Sequence, residues 1–570
     1  MFSAYSLMAG AAVDLKNGNY VERWADLQAG STQAPLEVTR YYNSRSTYRG
    51  LFGQGWCSNL ETRLDVLPEG RIRIVECGAA AETLYAPASF NLGQLESVVG
   101  TIVEQERQSK RPTDLTTLRA QLLRHADQRL AWARHFHLRF PEVPEGVAFS
   151  AEQLQVETIR FDGQHYIHTQ IDGTQQHFDH SGRLVWMADR GQNWVRLNYE
   201  GERLTEVVNR DEQKLTLHYA PGTHQVNLVV GPERRLVRYA YRDGQLSNVT
   251  NAWGNTYRHA YNPRGQLIRT DFPDGTFEAI DYHPKHDGVT RYTHRAVGDF
   301  SCSESYTYDL APGQATAPRF LATARKACSG GPVEETRFSF SYLSREDGRL
   351  ALQRVTRQPT QVLQPEKRDG EDPMAEPLAL RCREYDIIYN PIFGKPSQIT
   401  RADGEPIHFR YRADGLLHDK TQARQRVQFR YDERTHLVSQ MVKEFLDDAG
   451  QVDSRKEVRF GYSAQGQLMH ADNMDGLSLS LKYDPHGQIS EITKKHGKKL
   501  RIKYDSEHGK PEKVTLVGGG SLIVRYGADG EIASTAGEGK TDPIAIAITL
   551  SAMVDSLLEM TTSLSEETQY

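Results

Sequence analysis

The sequence is poor in cysteine and carries no strong charge of one sign. None of its five cysteines has the C-x-x-C or Cys/His spacing of a metal or redox centre, so we expect them to stay reduced, as in a compartment where disulfides are rare. The formal net charge is only −5 and no long basic run occurs, so we expect no nucleic-acid partner. The cysteines are Cys57, Cys77, Cys302, Cys328 and Cys382.

Long hydrophobic runs are also missing. The mean hydropathy is −0.62, and residues 1–10 (MFSAYSLMAG) have neither a basic leader nor a sustained apolar core. We therefore expect no signal peptide and no transmembrane segment. This favours synthesis in the cytoplasm, with any export through a contact-dependent secretion system.

Motifs for catalysis are absent as well. We find no nucleophile elbow, phosphate loop or zinc signature, and Gly518–Gly520 lacks the Lys-Ser/Thr of a P-loop, so we interpret it as a hairpin turn. His135 and His137 have no carboxylate or cysteine at a spacing that suits a metal. We expect no enzyme, cofactor or metal. A glycan-active enzyme with two carboxylates stays open, because sequence alone cannot place such a pair.

What the sequence does contain is a periodic aromatic anchor. Tyrosine or phenylalanine recurs every 20 to 22 residues through two long blocks, with one gap of 31 residues after Tyr431. A fixed period of this size indicates a repeat architecture. The anchors are Phe178, Tyr199, Tyr219, Tyr241, Tyr261, Tyr282, Tyr389, Tyr411, Tyr431, Tyr462, Tyr483, Tyr504 and Tyr526.

Each repeat has the pattern of a β-hairpin. Apolar residues stand two and four positions before the anchor, as in Val195-x-Leu197-x-Tyr199, and this alternation is typical of a strand with one buried face. Turn residues follow, as in Tyr483-Asp-Pro-His-Gly487. We predict a mainly β fold of roughly 18 hairpins that stack into a spiralling or partly closed wall.

The tyrosine repeat resembles the YD repeat of Rhs proteins, since literal Tyr-Asp pairs stand at 308–309, 385–386, 431–432, 483–484 and 504–505. Residues 13–18 (VDLKNG), 36–44 (LEVTRYYNS) and 53–56 (GQGW) resemble the module that opens Rhs shells. The resemblance implies a hollow shell that encloses a toxin or related cargo in bacterial polymorphic toxins. Tc toxins and teneurins contain similar shells.

The sequence departs from toxin-bearing members of that family near its end. The only late Asp-Pro pair, Asp542-Pro543, lacks the glycine pattern of the cleavage motif, and 28 residues follow Asp542. We therefore expect neither self-cleavage nor a toxin domain within this chain.

Two segments have a helical period. Leu115, Leu118 and Leu122 lie within a predicted helix over 113–137, and a second helix is predicted over about 543–566, capped by Asp542. The second helix either packs across the end of the shell or binds a partner through an apolar stripe. That stripe comprises Ile546, Leu550, Met553, Val554, Leu557 and Met560.

These patterns divide the chain into six predicted regions. The irregular fourth region, rich in Pro, Gly and charge, is predicted to be a long loop. The regions are an N-terminal Rhs-opening β module (1–100), a helical insertion (101–150), a first repeat block (151–309), an irregular insertion (310–380), a second repeat block (381–535), and a Gly-rich hinge with the C-terminal helix (536–570).

Function follows from the repeats and the resemblance. We expect a non-enzymatic shell that encloses or scaffolds a toxin, effector or other partner in a type VI-like delivery system, with self-association as an option. The alternative is a surface or secreted module that binds glycans or proteins through exposed aromatic rows. A glycan-active enzyme is the third reading.

Overall fold

The computed structural model describes eleven stretches of the chain, and 53% of the chain is strand. The predicted mainly β class is confirmed. The described residues are 12–29, 35–76, 82–298, 300–311, 319–358, 361–363, 384–402, 404–485, 487–505, 509–527 and 531–568.

A small antiparallel sheet comes first in the chain. Its strands are ordered β1-β2-β3-β6, and a short hairpin, β4–β5, lies between β3 and β6. We call this unit, residues 12–58, the N-terminal sheet. The strands are β1 (Ala12–Asp14), β2 (Asn19–Ala29), β3 (Leu36–Asn43), β4 (Arg49–Gly50), β5 (Gly53–Gln54) and β6 (Trp56–Ser58).

A single long sheet then begins and is interrupted once by helices. Strands β7 (Arg63–Val66), β8 (Ile72–Val75) and β9 (Glu82–Pro87) precede the helices, and β10 (Phe149–Ala151) resumes the sheet by pairing with β9. Three helices are therefore inserted in the chain between two neighbouring strands of the sheet.

The helical insertion is larger than predicted. In place of one helix over 113–137 the chain forms α1 (Leu92–Gln108), α2 (Leu115–Arg124) and α3 (Ala126–His135). The side chain of Asp114 caps α2 by accepting from the backbone N–H groups of Thr116 and Thr117, and His125 adopts an extended conformation that separates α2 from α3. The helices share a small core of their own.

The first repeat block continues the sheet strand by strand, with a short 3₁₀ turn at Pro232–Arg234. Its strands are β11 (Thr158–Phe161), β12 (Tyr166–Thr169), β13 (Gln175–Phe178), β14 (Leu184–Ala188), β15 (Trp194–Glu200), β16 (Arg203–Asn209), β17 (Lys214–Tyr219), β18 (Val226–Val230), β19 (Leu236–Arg242), β20 (Gln245–Thr250), β21 (Thr256–Tyr261), β22 (Leu267–Asp271), β23 (Phe277–Tyr282), β24 (Val289–Val297) and β25 (Phe300–Ala311).

Residues 310–380 were predicted to form an irregular insertion, and this prediction is wrong for most of the part that the structure describes. The sheet continues through β26 (Arg319–Cys328), β27 (Val333–Ser344), β28 (Leu350–Arg357) and β29 (Gln361–Leu363). β27 is long enough to pair with β26 on one side and with both β28 and β29 on the other. These strands lack the 20-residue tyrosine period, so the repeat count missed them. Residues 312–318, 359–360 and 364–383 lie outside the described residues.

The second repeat block completes the sheet, and the predicted C-terminal helix α4 (Pro543–Thr568) follows it. The strands of this block are β30 (Tyr385–Tyr389), β31 (Pro396–Arg401), β32 (Ile407–Tyr411), β33 (Leu417–Gln422), β34 (Gln425–Tyr431), β35 (Val438–Leu446), β36 (Val452–Tyr462), β37 (Leu468–Asn473), β38 (Ser478–Tyr483), β39 (Ile489–Lys494), β40 (Lys499–Tyr504), β41 (Pro511–Leu516), β42 (Gly520–Tyr526) and β43 (Ile532–Gly539).

Two local predictions need correction. The glycines at 537 and 539, which suggested a hinge, belong to the last strand and pair with β42. Cys302 and Cys328, expected to stay reduced, lie directly opposite each other on β25 and β26 and form a disulfide. Sequence spacing could not show this pairing, because the two residues are brought together by the register of strands that the repeat pattern missed.

The long sheet is antiparallel, runs from β7 to β43 and is open. Within the described residues no ladder joins the last strand, β43, to the first, β7. The sheet nevertheless curls back on itself, because the Arg190 guanidinium donates to the carbonyl oxygen of Thr435 at 3.0 Å and Gln155 N donates to Asp414 O at 3.0 Å. Hairpin turns of the first block therefore contact turns of the second block.

Candidate functional site

The hydroxyl groups of the tyrosine anchors link neighbouring strands of the long sheet. In the anchors named in this paragraph the hydroxyl donates to a backbone carbonyl, in most cases 15 residues earlier, as from Tyr219 to Leu204 at 2.7 Å and from Tyr241 to Val226 at 2.6 Å. Burial raises the pKa of Tyr219 to about 12, so the hydroxyl stays protonated and continues to donate. The same bond is made by Tyr199, Tyr261, Tyr282, Tyr308, Tyr411, Tyr431, Tyr462, Tyr483, Tyr504 and Tyr526.

The geometry at each anchor explains the repeat. The ladder register shifts just before the tyrosine, as between Asn198 and Tyr199 or between Lys482 and Tyr483. This bulge turns the strand end, and a glycine with positive φ, such as Gly487 at 84°, completes the turn.

The N-terminal sheet occupies the inner face of the first block. Trp56 Nε1 donates to the Tyr261 hydroxyl at 2.8 Å, and the Tyr42 hydroxyl accepts from Leu267 N at 2.8 Å. Val226 N and Val289 N donate to carbonyl oxygens of the N-terminal sheet at 2.9 and 2.8 Å. Because one small sheet reaches strands from β18 to β24, the wall must bend around it, and its apolar, tyrosine-bearing face is the concave one.

A buried ion pair lies at this contact. Asp26 and Arg40 pair with side-chain exposures of 1% and 0%, and the Tyr239 hydroxyl donates to Asp26 at 2.9 Å. The guanidinium of Arg40 lies 4.6 Å from the centre of the Trp56 ring. A buried pair adds little net stability, but removing one partner is costly, so this group fixes the position of the N-terminal sheet against the first block.

Two buried carboxyl groups meet at the same contact. The Tyr20 hydroxyl lies 3.0 Å from Glu22 and 3.4 Å from Glu278, which belongs to β23. Burial, with the nearby Glu278 carboxyl, raises the pKa of Glu22 to about 8, and burial raises the pKa of Glu278 as well. At neutral pH the Glu22 carboxyl therefore keeps a proton that a carboxyl group exposed to water would have released.

Both polar groups were missed from the sequence, although each left a signal there. In β2, Glu22 stands between Tyr20 and Trp24 at two-residue spacing, so it occupies an inward-facing position. Asp26, two residues after Trp24, continues the same spacing and is also buried. A charged residue at such a position indicates a buried polar contact.

Helix α4 covers the same inner face in the second block. Ile546 is fully buried and Met553 is 4% exposed, and both pack with Leu481 and Ile502. Two further stripe residues, Leu550 and Leu557, are partly buried in this cluster. Four of the six predicted partner-binding residues therefore contact the chain's own sheet, which is the packing alternative that the sequence left open.

The other two stripe residues have different positions. Val554 is 38% exposed, and the side chain of Met560 lies outside the described residues. On the side of α4 that faces away from the sheet, Ile544 is 67% and Ile548 is 63% exposed. A partner role for the helix remains a prediction, and it now concerns this exposed side.

The outer face of the wall carries cross-strand ion pairs. Glu491 lies among Lys482, Lys499 and Arg501 on the two flanking strands, and the hydrogen bond from Lys499 leads the interactions that lower the pKa of this carboxyl to about 2. Glu335 on β27 pairs with Arg325 on the neighbouring strand β26 and with Arg337 on its own strand. Such pairs stabilise neighbouring strands and leave a solvated surface.

Two open cavities lie on the molecule. One of 680 Å³ is lined by Ser, Thr and Arg residues of β25 to β28, among them Thr323 and Arg337. The other, of 570 Å³, lies beside β7 and is lined by Val66, Phe161 and Tyr166.

No group of three or more His, Cys, Asp or Glu side chains among the described residues is arranged to hold a metal ion. In the same part of the chain no helix has the length and apolar character needed to cross a bilayer.

Comparison with known proteins supports this architecture at both ends. Residues 379–515 match the family model described as teneurin YD-shell, and residues 10–80 match a domain of unknown function, DUF6531. No curated protein matches the chain.

Solved structures of Tc toxins are similar over most of the chain. A crystal structure of TcdB2-TccC3-TEV shares 10% identity at a TM-score of 0.30, with 95% of this chain and 32% of that one covered. The Tc holotoxin pore of Photorhabdus luminescens shares 9% identity at a TM-score of 0.30, with 92% and 30% covered. The chain thus spans about a third of the length of these structures. The hairpin repeats and the tyrosine anchors, with the family match over residues 379–515, support an Rhs/YD-repeat shell fold for this chain.

Proposed function

We propose that this protein is a non-enzymatic shell that encloses or scaffolds a protein cargo, a toxin or effector, in a bacterial toxin-delivery system. The observation that carries the proposal is the continuous open sheet with an apolar concave face. A curved wall of this kind separates what it encloses from the surrounding water. Its repeated geometry lies in backbone and tyrosine contacts, which build a container rather than a reaction centre.

The inner face is only partly covered by the chain itself. The N-terminal sheet fills the first block, and α4 covers strands of the second block. The exposed apolar residues Ile544 and Ile548 lie on the side of α4 that faces away from the sheet, and hence toward the hollow. Exposed apolar side chains in a confined space suit a cargo that is unfolded or rich in apolar segments.

In this proposal the cargo is a separate polypeptide and the delivery route is contact-dependent and type VI-like. The resemblance to Rhs shells supports the delivery route. The genes next to this one are the natural source of candidates, and a cargo toxin is expected to be accompanied by a small immunity protein.

The test is co-expression of the chain with each neighbouring gene product, followed by affinity purification and protease treatment. We expect one product to co-purify and to resist protease only in the complex. Replacing Ile544 and Ile548 together by Asp should weaken capture, whereas Ser480→Asp, which adds charge at an exposed residue on the opposite face of the sheet from α4, should not. Absence of any co-purifying, protected product would contradict the proposal.

One observation favours the recognition alternative. Trp253 stands at a hairpin turn with 55% of its surface exposed, and an exposed indole ring is a common platform for sugar rings. Binding to a glycan array that Trp253→Ala abolishes, with no cargo protein captured, would support that function in place of the shell.

A further inference from the structure

The last strand of the long sheet leaves an edge uncovered. All eight residues of β43 are exposed, and β43 pairs only with β42 among the described strands. Its sequence, IASTAGEG, contains small residues, no proline and a single charge. Natural sheets usually block such an edge with charge, proline or a bulge, because its backbone groups can pair with another strand.

The ladder register shows which backbone groups point outward. Lys540 N donates to Gly519 O just beyond the last pair of the β42–β43 ladder, and Glu538 lies opposite Ser521 two residues earlier. Hydrogen-bonded pairs alternate along an antiparallel ladder, so Ala536 and Glu538 turn their N–H and C=O groups toward β42. Thr535 and Gly537 turn theirs away from the sheet.

The opposite end of the sheet is closed to strand addition. On the outer edge of β7, Leu64 N donates to Gly182 O at 2.8 Å, and Arg63 forms a bridge with Arg183. Gly182 has a φ of 82° and lies so close to Leu64 that a side chain there would collide with the β7 backbone. A second copy of the chain therefore cannot add its last strand to this end.

From these observations we propose that β43 is a dimer interface, where a second copy adds its own β43 in antiparallel fashion to make one sheet across both molecules. Because β7 is capped, the contact uses the same strand on both copies and closes as a two-fold dimer, not a filament. A register centred on Thr535 or Ala536 keeps outward-pointing residues opposite each other. It also keeps the two Glu538 carboxylates apart, so no like charges oppose.

Helix α4 extends this interface on the concave side. Its first residue, Pro543, packs over Gly537, and the helix then runs back across β42 and β41. The exposed Ile544 thus lies near the free edge. A two-fold axis perpendicular to the joined sheet places both helices on one face and both hollows on the same side. In the dimer the hollows of the two copies therefore join into one larger enclosure.

The test is the molar mass of the purified full chain, measured by size-exclusion chromatography with light scattering over a range of concentrations. We expect twice the mass of 64.5 kDa, without larger species. Ala536→Lys, which places a charge at the centre of the pairing, and Thr535→Pro, which removes an outward N–H, should each give the monomer.

Ser480→Lys is the matched control and should leave the dimer intact. Ser480 is exposed, but its strand β38 lies in the interior of the strand order, far from the free edge at β43. Circular dichroism checks that each variant keeps its strand content, and an Ala536→Cys variant should form an intermolecular disulfide under oxidation. A monomeric wild type, an open series of oligomers, or a dimer that survives both edge variants would overturn the proposal. None of these outcomes depends on cargo capture.

Discussion

The tyrosine anchors differ from the phenylalanine at position 178 by one hydroxyl group. Phe178 is fully buried at an anchor position, so the aromatic ring alone can fill the site. The hydroxyl adds a bond to a carbonyl in the neighbouring hairpin, and its repetition ties each repeat to the one before it. Burial of the ring and donation by the hydroxyl are thus separable contributions.

Replacing Tyr219 by Phe should remove one bond and leave the packing unchanged. A buried hydrogen bond contributes about 1 kcal/mol, so local opening near Leu204 should become roughly fivefold more frequent. Amide hydrogen exchange of β16 and β17 measures this. Tyr257→Phe is the control, because the Tyr257 hydroxyl makes no hydrogen bond to the described residues. Equal exchange in wild type and Tyr219→Phe would show that the hydroxyl contributes nothing.

The buried carboxyl of Glu22 should make the N-terminal contact sensitive to pH. Its pKa rises from 4.5 to about 8 on folding, so below about pH 4.5 it is neutral in both states. Between there and about pH 8 the unfolded chain releases the proton and the folded chain retains it, so stability falls as pH rises. Above about pH 8 this contribution is constant.

We therefore expect the unfolding midpoint, followed by tryptophan fluorescence, to decline between pH 5 and 8. Glu22→Gln should flatten the decline, and Glu200→Gln, which removes an exposed carboxylate, should not. An unchanged slope in Glu22→Gln would mean that another group is responsible.

At the scale of elements, α4 has two apolar sides with different surroundings. The side with Ile546 and Met553 is packed on the sheet, and the side with Ile544 and Ile548 is exposed. The sequence pattern predicted the helix and its cap, and Ile544 N does bind the Asp542 side chain at 3.0 Å. It could not choose between sheet and partner, because both require the same helical spacing.

Ile546→Asp should detach α4 from the wall. A carboxylate in this apolar contact has no partner, so the cost should be several kcal/mol, and residues 543–568 should become accessible to protease and hydrogen exchange. Ile548→Asp, two residues away on the exposed side, should leave the helix docked. If both variants expose the helix equally, the packing described for Ile546 is incorrect.

Other elements show where sequence reasoning was sufficient. Strands that carry the Val195-x-Leu197-x-Tyr199 pattern were predicted, because alternation and turn residues are local signals. Strands β26 to β28 were missed, since their Phe338-x-Phe340-x-Tyr342 alternation lacks the regular turn that sets the repeat. The helix α1 was also missed, although its buried residues Leu95, Val99 and Ile102 stand at helical spacing.

For the whole molecule, the enclosing shape depends on contacts between distant turns. Arg190 donates to three backbone carbonyls, two of them in the hairpin at Ile171 and Asp172 and one at Thr435 in the second block. Local strand pairing was readable from the repeats, but this contact between residues far apart in the sequence was not. It is set by how tightly the entire sheet curls.

Arg190→Ala should loosen the contact between the two blocks without unfolding either. We expect faster hydrogen exchange in the turn around Thr435 and a larger radius of gyration by small-angle X-ray scattering. Arg196→Ala, which removes an exposed arginine of the same block, is the control. A radius and exchange pattern equal to the wild type would indicate that other contacts hold the curl.

The N-terminal sheet also has a consequence for biosynthesis. Its residues leave the ribosome before the strands that bury its aromatic side chains, and those strands end only near Val289, about 230 residues later. At roughly 5 to 20 residues per second, this leaves Trp24, Phe52 and Trp56 without their partners for tens of seconds. The nascent protein therefore spends that interval with these aromatic side chains uncovered, a natural stage for a chaperone to act.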